Sequence, residues 1–319
     1  MTMKNFTSAT LNALFDGRSV SPLLPYEDLG TGTDTLALIR EGNGRLSISG
    51  AQEKYAFVED KGILRLTQPG EQGRYIAKPV PVDRRFFFKE DMPANECLTM
   101  TIAQKVFGME VAAHGLCYLG NGQPVYITRR FDFKPDGTKY AMEDLASVAG
   151  LGNTRFGSDY KYRALSYEEC ADLIKKYCSS PSADLLKFYK LIVFNYLFSN
   201  ADAHLKNFSL IGTAPGEYHL APAYDLLNTE LHIDTPIFAL EKGLFREGRP
   251  IIDTTPIGRP MLTEFGTRIG FSEKTVQRIL ARFSKRNDKI EELISRSALS
   301  DLAKNDYLQQ FHYRKSTLQ

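Results

Sequence analysis

The sequence predicts an α+β fold, with a mainly sheet-forming first portion and a larger, mainly helical second portion. Three observations predict it. Short strand-like runs bounded by Gly and Pro crowd the residues before 133. Long runs with helical spacing dominate the residues after it. No repeated strand–helix alternation, the pattern of a parallel βαβ sheet, runs through the chain. The boundary therefore falls at residue 133, giving portions 1–133 and 134–319.

The elements follow in order. Residues 1–44 carry Ser19, Ser21, Pro22, Pro25, Gly30 and Gly32, an irregular lead-in with one short helix. A glycine and serine loop occupies residues 41–50. Residues 54–58 and 63–66 predict a hairpin, because Asp60-Lys61-Gly62 is a turn sequence. A strand over 75–80 is ended by Pro79 and Pro81. Leu98, Met100, Ile102, Ala103 and Val106 predict a helix over 95–107, closed by Gly108. Strands are expected over 112–119 and 125–131. Helices are expected over 167–177 and 182–198, the second with Ser182 as N-cap and apolar nearly all round, hence buried. Ala214-Pro-Gly216 splits a hairpin over 207–211 and 218–221. Three helices, over 272–284, 288–296 and 299–311, complete the chain.

Composition narrows the classes. The chain is 43% hydrophobic and 24% charged, with a net charge of +2, ordinary for a globular protein and without the basic excess of a nucleic-acid binder. No direct DNA binding is expected. Cys97, Cys117, Cys170 and Cys178 form no Cys-x-x-Cys pair, which disfavours a zinc ribbon or a thioredoxin-like site. They are expected to pack as small apolar side chains in a reducing compartment. The opening residues lack a secretory pattern, and the apolar run over 185–198 is interrupted by Lys187, Lys190 and Asn195. The expectation is a cytoplasmic protein with no membrane association.

Chemistry concentrates in Asn200-Ala-Asp-Ala-His-Leu-Lys-Asn-Phe208. Asp202 and Asn207 have the D-x-x-x-x-N spacing of a kinase catalytic loop. There the Asp accepts the proton of the attacking hydroxyl and the Asn coordinates Mg²⁺. Lys206 is placed to neutralise charge on a transferring phosphoryl group. Asp225 follows the second hairpin strand, where a kinase puts its other Mg²⁺-binding carboxylate. Turn formation alone also accounts for Asp202 and Asn207. His204 reads as a packed histidine bonded to backbone rather than a metal ligand. Lys78 reads either as a phosphate-binding strand lysine or as a surface lysine on an edge strand. Glu96 is either its orienting partner or a first-turn acid favoured by the helix dipole. In Ser47-Ile-Ser-Gly-Ala-Gln52, backbone N–H groups and two hydroxyls can cap phosphate oxygens, although an ordinary turn fits equally. Arg84, Arg85 and Lys89 read as a solvated basic face.

Taken together these residues resemble the HipA-type toxin kinases. The matching stretches are Ser47-Ile-Ser-Gly-Ala-Gln-Glu-Lys54, Ile76-Ala-Lys-Pro79, Asn95-Glu96, Thr128-Arg-Arg-Phe-Asp132, Glu143-Asp144, Ala201-Asp-Ala-His-Leu-Lys-Asn-Phe208 and Leu220-Ala-Pro-Ala-Tyr-Asp225. They occur in the family's order. The resemblance implies a bilobal, protein-kinase-like fold with a small β-rich N-lobe and a larger helical C-lobe. It implies ATP and Mg²⁺ as cofactors, Asp202 with Lys206 as catalytic residues, and Asn207 and Asp225 as metal ligands. Lys78, Ser49, Gly50 and Ala51 would bind ATP, with Arg130 and Phe131 at the hinge. Ser47 aligns with the family's autophosphorylated serine, and Ser49 is a second serine in the same loop. About 40 residues precede that loop, fewer than in full-length HipA proteins and similar to HipT of the three-component HipB–HipS–HipT systems. The implied substrate is an aminoacyl-tRNA synthetase, glutamyl for HipA and tryptophanyl for HipT. The implied partners are HipB-like and HipS-like antitoxins. Two other readings keep part of this: a kinase of the same fold acting on a small molecule or lipid, and a catalytically silent binding partner in a repressor complex.

Overall fold

The computed structural model describes residues 5–29, 38–39, 52–152, 157, 159–248 and 257–319. Ser47, Ser49, Gly50 and Ala51, the expected phosphate loop and modification sites, lie outside the described residues.

The expected lead-in helix is α1 (Ser8–Phe15), N-capped by Thr7. An antiparallel sheet follows, built from β1 (Leu38–Ile39), β2 (Lys54–Asp60), β3 (Ile63–Leu66), β4 (Tyr75–Pro79), β5 (His114–Tyr118) and β6 (Pro124–Arg129). Its order is β1-β2-β4-β6-β5, with β3 paired to β2. The β2–β3 hairpin turns through Lys61 and Gly62, both at positive φ, as the turn sequence predicts. Strand β4 is central, between β2 and β6, and this excludes the edge-strand reading of Lys78. One sheet face packs on α1 and the lead-in through Phe15, Phe57, Leu64, Val125 and Ile127.

Helix α2 (Met92–Lys105) begins three residues earlier than the apolar spacing predicts, because Pro93 suits its first turn. Gly108, at positive φ, closes it as expected. The second portion starts with β7 (Met142–Asp144), then α3 (Leu145–Val148), α4 (Tyr160–Arg163), α5 (Tyr167–Tyr177) and α6 (Pro181–Leu197). Helix α5 carries a full capping box from Ser166 and Glu169. The predicted Ser182 cap is corrected: Ser180 holds the N-cap position and Pro181 opens α6. Strands β8 (Ser209–Ala214) and β9 (Glu217–Leu220) form the expected hairpin, and β7 joins them in a three-stranded sheet. Helices α7 (Arg259–Arg268), α8 (Glu273–Ser284), α9 (Asp288–Arg296) and α10 (Asp301–Ser316) complete the chain. Helix α6 is the buried centre of a large aromatic core, as its apolar circumference predicts.

That core also contains Leu98, Met100 and Ile102 of α2, packed with α6, α8 and α10. Polar contacts reinforce the union. Asp91 accepts from the backbone and hydroxyl of Ser300 at 2.6 and 2.7 Å. Thr99 meets the Tyr307 hydroxyl at 2.9 Å. Asn95 donates to the Asn228 carbonyl and meets His232 Nε2 at 2.8 Å. The α2 helix is thus anchored to the helical portion, although it precedes β5 and β6 in the chain.

Of the cysteines, Cys117, Cys170 and Cys178 are buried, Cys97 is half-buried, and all four are free thiols. No described helix is long and apolar enough to cross a membrane.

Candidate functional site

The site is assembled around Asp225. Segment 220–225 is held from both sides: the Ala223 N–H donates to the Glu110 carbonyl, the Ala112 N–H donates to the Ala223 carbonyl, and the Tyr224 hydroxyl donates to the Lys206 carbonyl. Asp225 itself adopts φ +55°, a left-handed conformation that costs strain in a non-glycine residue and re-aims its carboxylate into the cleft.

Lys78 projects from β4 beneath the ring of Tyr126. Its Nζ lies 2.6 Å from Glu96 Oε1 on α2 and 2.6 Å from Asp225 Oδ1. Burial opposes the charge on Lys78, but attraction to Asp225 and Glu96 outweighs it and holds the ammonium above its ordinary range. For Asp225, burial is likewise outweighed by Lys78 and Lys54, and the carboxyl is held well below the usual range. Glu96 is fully buried; that burial pushes its carboxyl up, only partly offset by Lys78, and its Oε2 has no partner among the described residues. Glu96 is therefore the partner of Lys78, and it sits in the second turn of α2 rather than at its first position.

Segment 200–207 leaves the end of α6 in a tight path. Asn200 donates to Asn195, Ala201 to the Thr229 hydroxyl, and Leu205 and Phe208 are buried as anchors. Asp202 Oδ1 accepts from the Tyr162 hydroxyl at 2.7 Å. Asn207 Nδ2 reaches Asp225 Oδ2 at 3.4 Å, while its Oδ1 is buried with no partner among the described residues. Lys206 lines the cleft. His204 is buried, but the expected bond to backbone is corrected: neither ring nitrogen has a hydrogen-bond partner among the described residues.

The cleft has a volume of about 450 Å³, and Lys54, Lys78, Arg130, Phe131, Asn207 and Asp225 are on its wall. Arg130 forks onto Asp132 through Nε and Nη2, and Phe131 packs against Tyr224 at 5.7 Å. Among the described residues no cluster of three His, Cys, Asp or Glu side chains can hold a metal alone. The Asn207–Asp225 pair nevertheless suits a hard cation that takes its other ligands from phosphate and water, since the unpartnered Asn207 Oδ1 and a carboxylate lie side by side.

Two residues escaped the sequence reading. Lys54 Nζ lies 3.8 Å from Asp225 Oδ2. Tyr55 pairs with Ala77, so the register sets Lys54 and Lys78 side by side on neighbouring strands. Spacing along the chain carries no such information without that register. Tyr162 has no sequence signal, because its role depends on α4 folding back over residues 200–207.

A small antiparallel sheet beside a helical body, with a buried lysine–glutamate pair and an Asn–Asp pair at one cleft, defines a protein-kinase-like fold. Residues 46–296 match the HipA-like C-terminal domain family, and the chain belongs to it. A protein of Haemophilus influenzae provisionally named a kinase is 25% identical over 314 residues, covering 92% of this chain and 87% of that protein. The serine/threonine-protein kinase toxin HipA of Shewanella oneidensis is 28% identical over 210 residues, covering 61% of this chain and 46% of that protein. The chain thus spans most of the first relative and about half of the second. Among solved structures, HipA of Shewanella oneidensis in complex with HipB and operator DNA superposes with a TM-score of 0.65 at 22% identity, over 87% of this chain and 64% of that one. The proinflammatory kinase CtkA of Helicobacter pylori gives a TM-score of 0.55 at 15% identity, over 83% and 90%. Both share the fold.

Proposed function

We propose that this chain is an ATP- and Mg²⁺-dependent serine/threonine protein kinase, the toxin of a HipA/HipT-type toxin–antitoxin system, with an aminoacyl-tRNA synthetase as acceptor. The observation that carries the enzymatic part is the convergence of Glu96 and Asp225 on Lys78 at 2.6 Å, with Asn207 beside Asp225. Lys78, Asn207 and Asp225 are far apart in sequence, and a purely structural loop has no reason to gather them at a cleft. The same proposal divides the lobes at residue 133, with 1–133 as N-lobe and 134–319 as C-lobe.

In the proposed reaction, Lys78, with Lys54 beside it, binds nucleotide phosphate oxygens, and Glu96 keeps the Lys78 ammonium aimed. Arg130 and Phe131 form the hinge wall for the base. Asn207 and Asp225 would hold Mg²⁺, which would offset the charge of the nucleotide phosphates. Asp202 takes the proton of the acceptor hydroxyl, with Tyr162 fixing the orientation of its carboxylate. Lys206 stabilises charge on the transferring group. The acceptor oxygen gains the phosphoryl group and ADP departs.

The synthetase acceptor, tryptophanyl or glutamyl, and the HipB-like and HipS-like antitoxins rest on the resemblance of the motifs and on the toxin named among the relatives. Phosphorylation of Ser47 or Ser49 would add about −1.5 to −2 charges next to the nucleotide phosphates and switch the enzyme off by repulsion. The decisive experiment is quantitative phosphoproteomics after brief induction of wild type and Asp202→Asn. One strongly enriched phosphoserine on a synthetase, absent with the variant, is the expected result. Radiolabel entering only low-molecular-weight acceptors would refute the protein-kinase reading. Undiminished toxicity of Asp202→Asn would refute the enzymatic one, since loss of the general base is expected to cost about 10²–10⁴-fold.

A further inference from the structure

Residues 132–140 form a tight hairpin directly after Arg130 and Phe131. The Lys134 N–H donates to the Thr138 carbonyl, the Tyr140 N–H donates to the Asp132 carbonyl, and Gly137 turns the chain at φ +88°. Three cations crowd one ring of this hairpin: Arg74 and Arg130 Cζ each lie 5.2 Å from the Phe133 centroid, and Lys139 Nζ lies 5.3 Å from it. Lys134 Nζ stands 5.6 Å from the neighbouring Tyr140 ring. Cation–ring attraction at an exposed site is weak, and like charges gathered without counter-ions repel one another. Only Arg130 has a carboxylate, the one it forks onto at Asp132. Arg74, Lys134 and Lys139 form no ion pair among the described residues, and Arg74 and Lys139 are exposed. The acids around them are engaged elsewhere. Asp16, close enough to feel the Arg74 charge, pairs with Arg129, and Asp136 accepts from the backbone and hydroxyl of Thr138. The arrangement is fixed by backbone: the Arg130 N–H donates to the Arg74 carbonyl, and a Cβ at Gly137 would stand 2.8 Å from Arg74 Nη2. Glycine there lets the guanidinium lie against the turn.

We propose that this hairpin face is a docking surface for an acidic segment of another protein, whose Asp and Glu carboxylates pair with Arg74, Lys134 and Lys139. The Arg74 fork suits a carboxylate taken through two hydrogen bonds, and the two lysines suit single charges on either side. Carboxylates fit better than a nucleic acid. The Phe133 ring is already crowded by cations and offers no open platform for base stacking. Asp16 and Asp136 border the patch, and a continuous phosphate chain would run against them, whereas a peptide places its charges selectively. Arg130 lines the cleft, but Arg74, Phe133, Lys134 and Lys139 stand outside it. A protein docked here is therefore held beside the cleft while Lys78 and Asp225 stay accessible. The inference does not depend on what the cleft binds.

The test is fluorescence anisotropy of a labelled deca-glutamate peptide at low salt, with the full chain, with the double variant Arg74→Ala, Lys139→Ala, and with a control double variant on α8 and its end, Arg278→Ala, Lys285→Ala. The first pair should weaken binding about fivefold or more, and the control should stay within about twofold. No binding to the wild type, or equal weakening by both pairs, overturns the assignment. A labelled single-stranded RNA ten-mer that binds more tightly than the peptide, and is weakened by the same first pair, also overturns it and assigns the patch to nucleic acid. Carbodiimide coupling of the peptide to the wild type, which joins a carboxylate to a lysine amine, guards against a variant that misfolds. Mass mapping should find the links at Lys134 and Lys139, and links confined to other lysines refute the site. An ATP analogue with Mg²⁺ should leave peptide binding unchanged, and competition between the two would refute its place beside the cleft. A chain that binds the peptide and no nucleotide would fail as a kinase and still bear out this surface.

Discussion

Lys78 shows how much one side chain can decide. Its ammonium is the charge partner of Glu96, which no solvent reaches, and one of two lysines that neutralise Asp225. Removing a single member of a buried pair leaves an uncompensated charge, at a cost of about 3–5 kcal/mol. Lys78→Met should therefore lower the urea unfolding midpoint sharply as well as abolish phosphoryl transfer. Adding Glu96→Gln should restore part of the midpoint and none of the activity. An unchanged midpoint in Lys78→Met would show that the pair is not structural. At this scale the sequence was informative where chemistry dictates spacing. Asp202, Asn207 and Asp225 lie in two short segments whose residue order is visible in the chain, and Lys78 lies in a third. Lys54, Tyr162 and the unsatisfied ring of His204 were not legible, because each depends on a register or a neighbour that only the folded chain supplies.

Among the elements, α2 is the most constrained. It carries Glu96 and is fastened by Asp91, Asn95 and Thr99 to the start of α10, the 228–232 turn and Tyr307. His232 completes this fastening: its Nδ1 lies 2.9 Å from the Phe87 carbonyl and its Nε2 faces the Asn95 amide. Burial pushes the His232 imidazole down from 6.5 to about 4. A depressed histidine contributes stability above its unfolded value that is lost as pH falls. The expected outcome is a stability loss that starts near pH 6.5 and levels off below about pH 4. Chemical denaturation across that window should show the slope, and His232→Gln should flatten it; an identical slope in the variant would refute the attribution. Element types were legible wherever a long period or a cap was present, as in α5 with its capping box. Helix α7 went unread although Met261, Leu262, Phe265 and Ile269 lie on its buried side, with Met261 only half-buried. Its Gly266 breaks the sequence pattern, yet a Cβ there would stand 2.6 Å from Val276 Cγ2 and 3.0 Å from the Tyr189 ring. Close helix approach, not a turn, explains that glycine. Strand β7 has three residues and exists only through its pairing with β8, so no local pattern announced it.

For the whole molecule, the cleft joins sheet residues Lys54 and Lys78 to Asn207 and Asp225 of the helical portion, so a ligand there ties both parts together. A ligand at 100 times its Kd stabilises the native state by about 2.7 kcal/mol. Mg²⁺ with ATP should therefore raise the melting temperature, ATP with a chelator should raise it less, and Asp225→Asn should remove the difference. Equal shifts with and without Mg²⁺ would refute the Asn207–Asp225 cation site. The α+β order was legible from the succession of short and long apolar periods. The membership of α2 in the helical core was not, because chain order places it among the strands. That membership has a pharmacological consequence. Compounds that trap a kinase by occupying the space behind an out-swung regulatory helix need that helix to leave its seat. Here departure would drag Leu98, Met100 and Ile102 out of an apolar interior and break three sets of hydrogen bonds at once. Selective blockers of this chain should instead be sought among molecules that fill the end of the cleft lined by Lys54, Lys78 and Asp225.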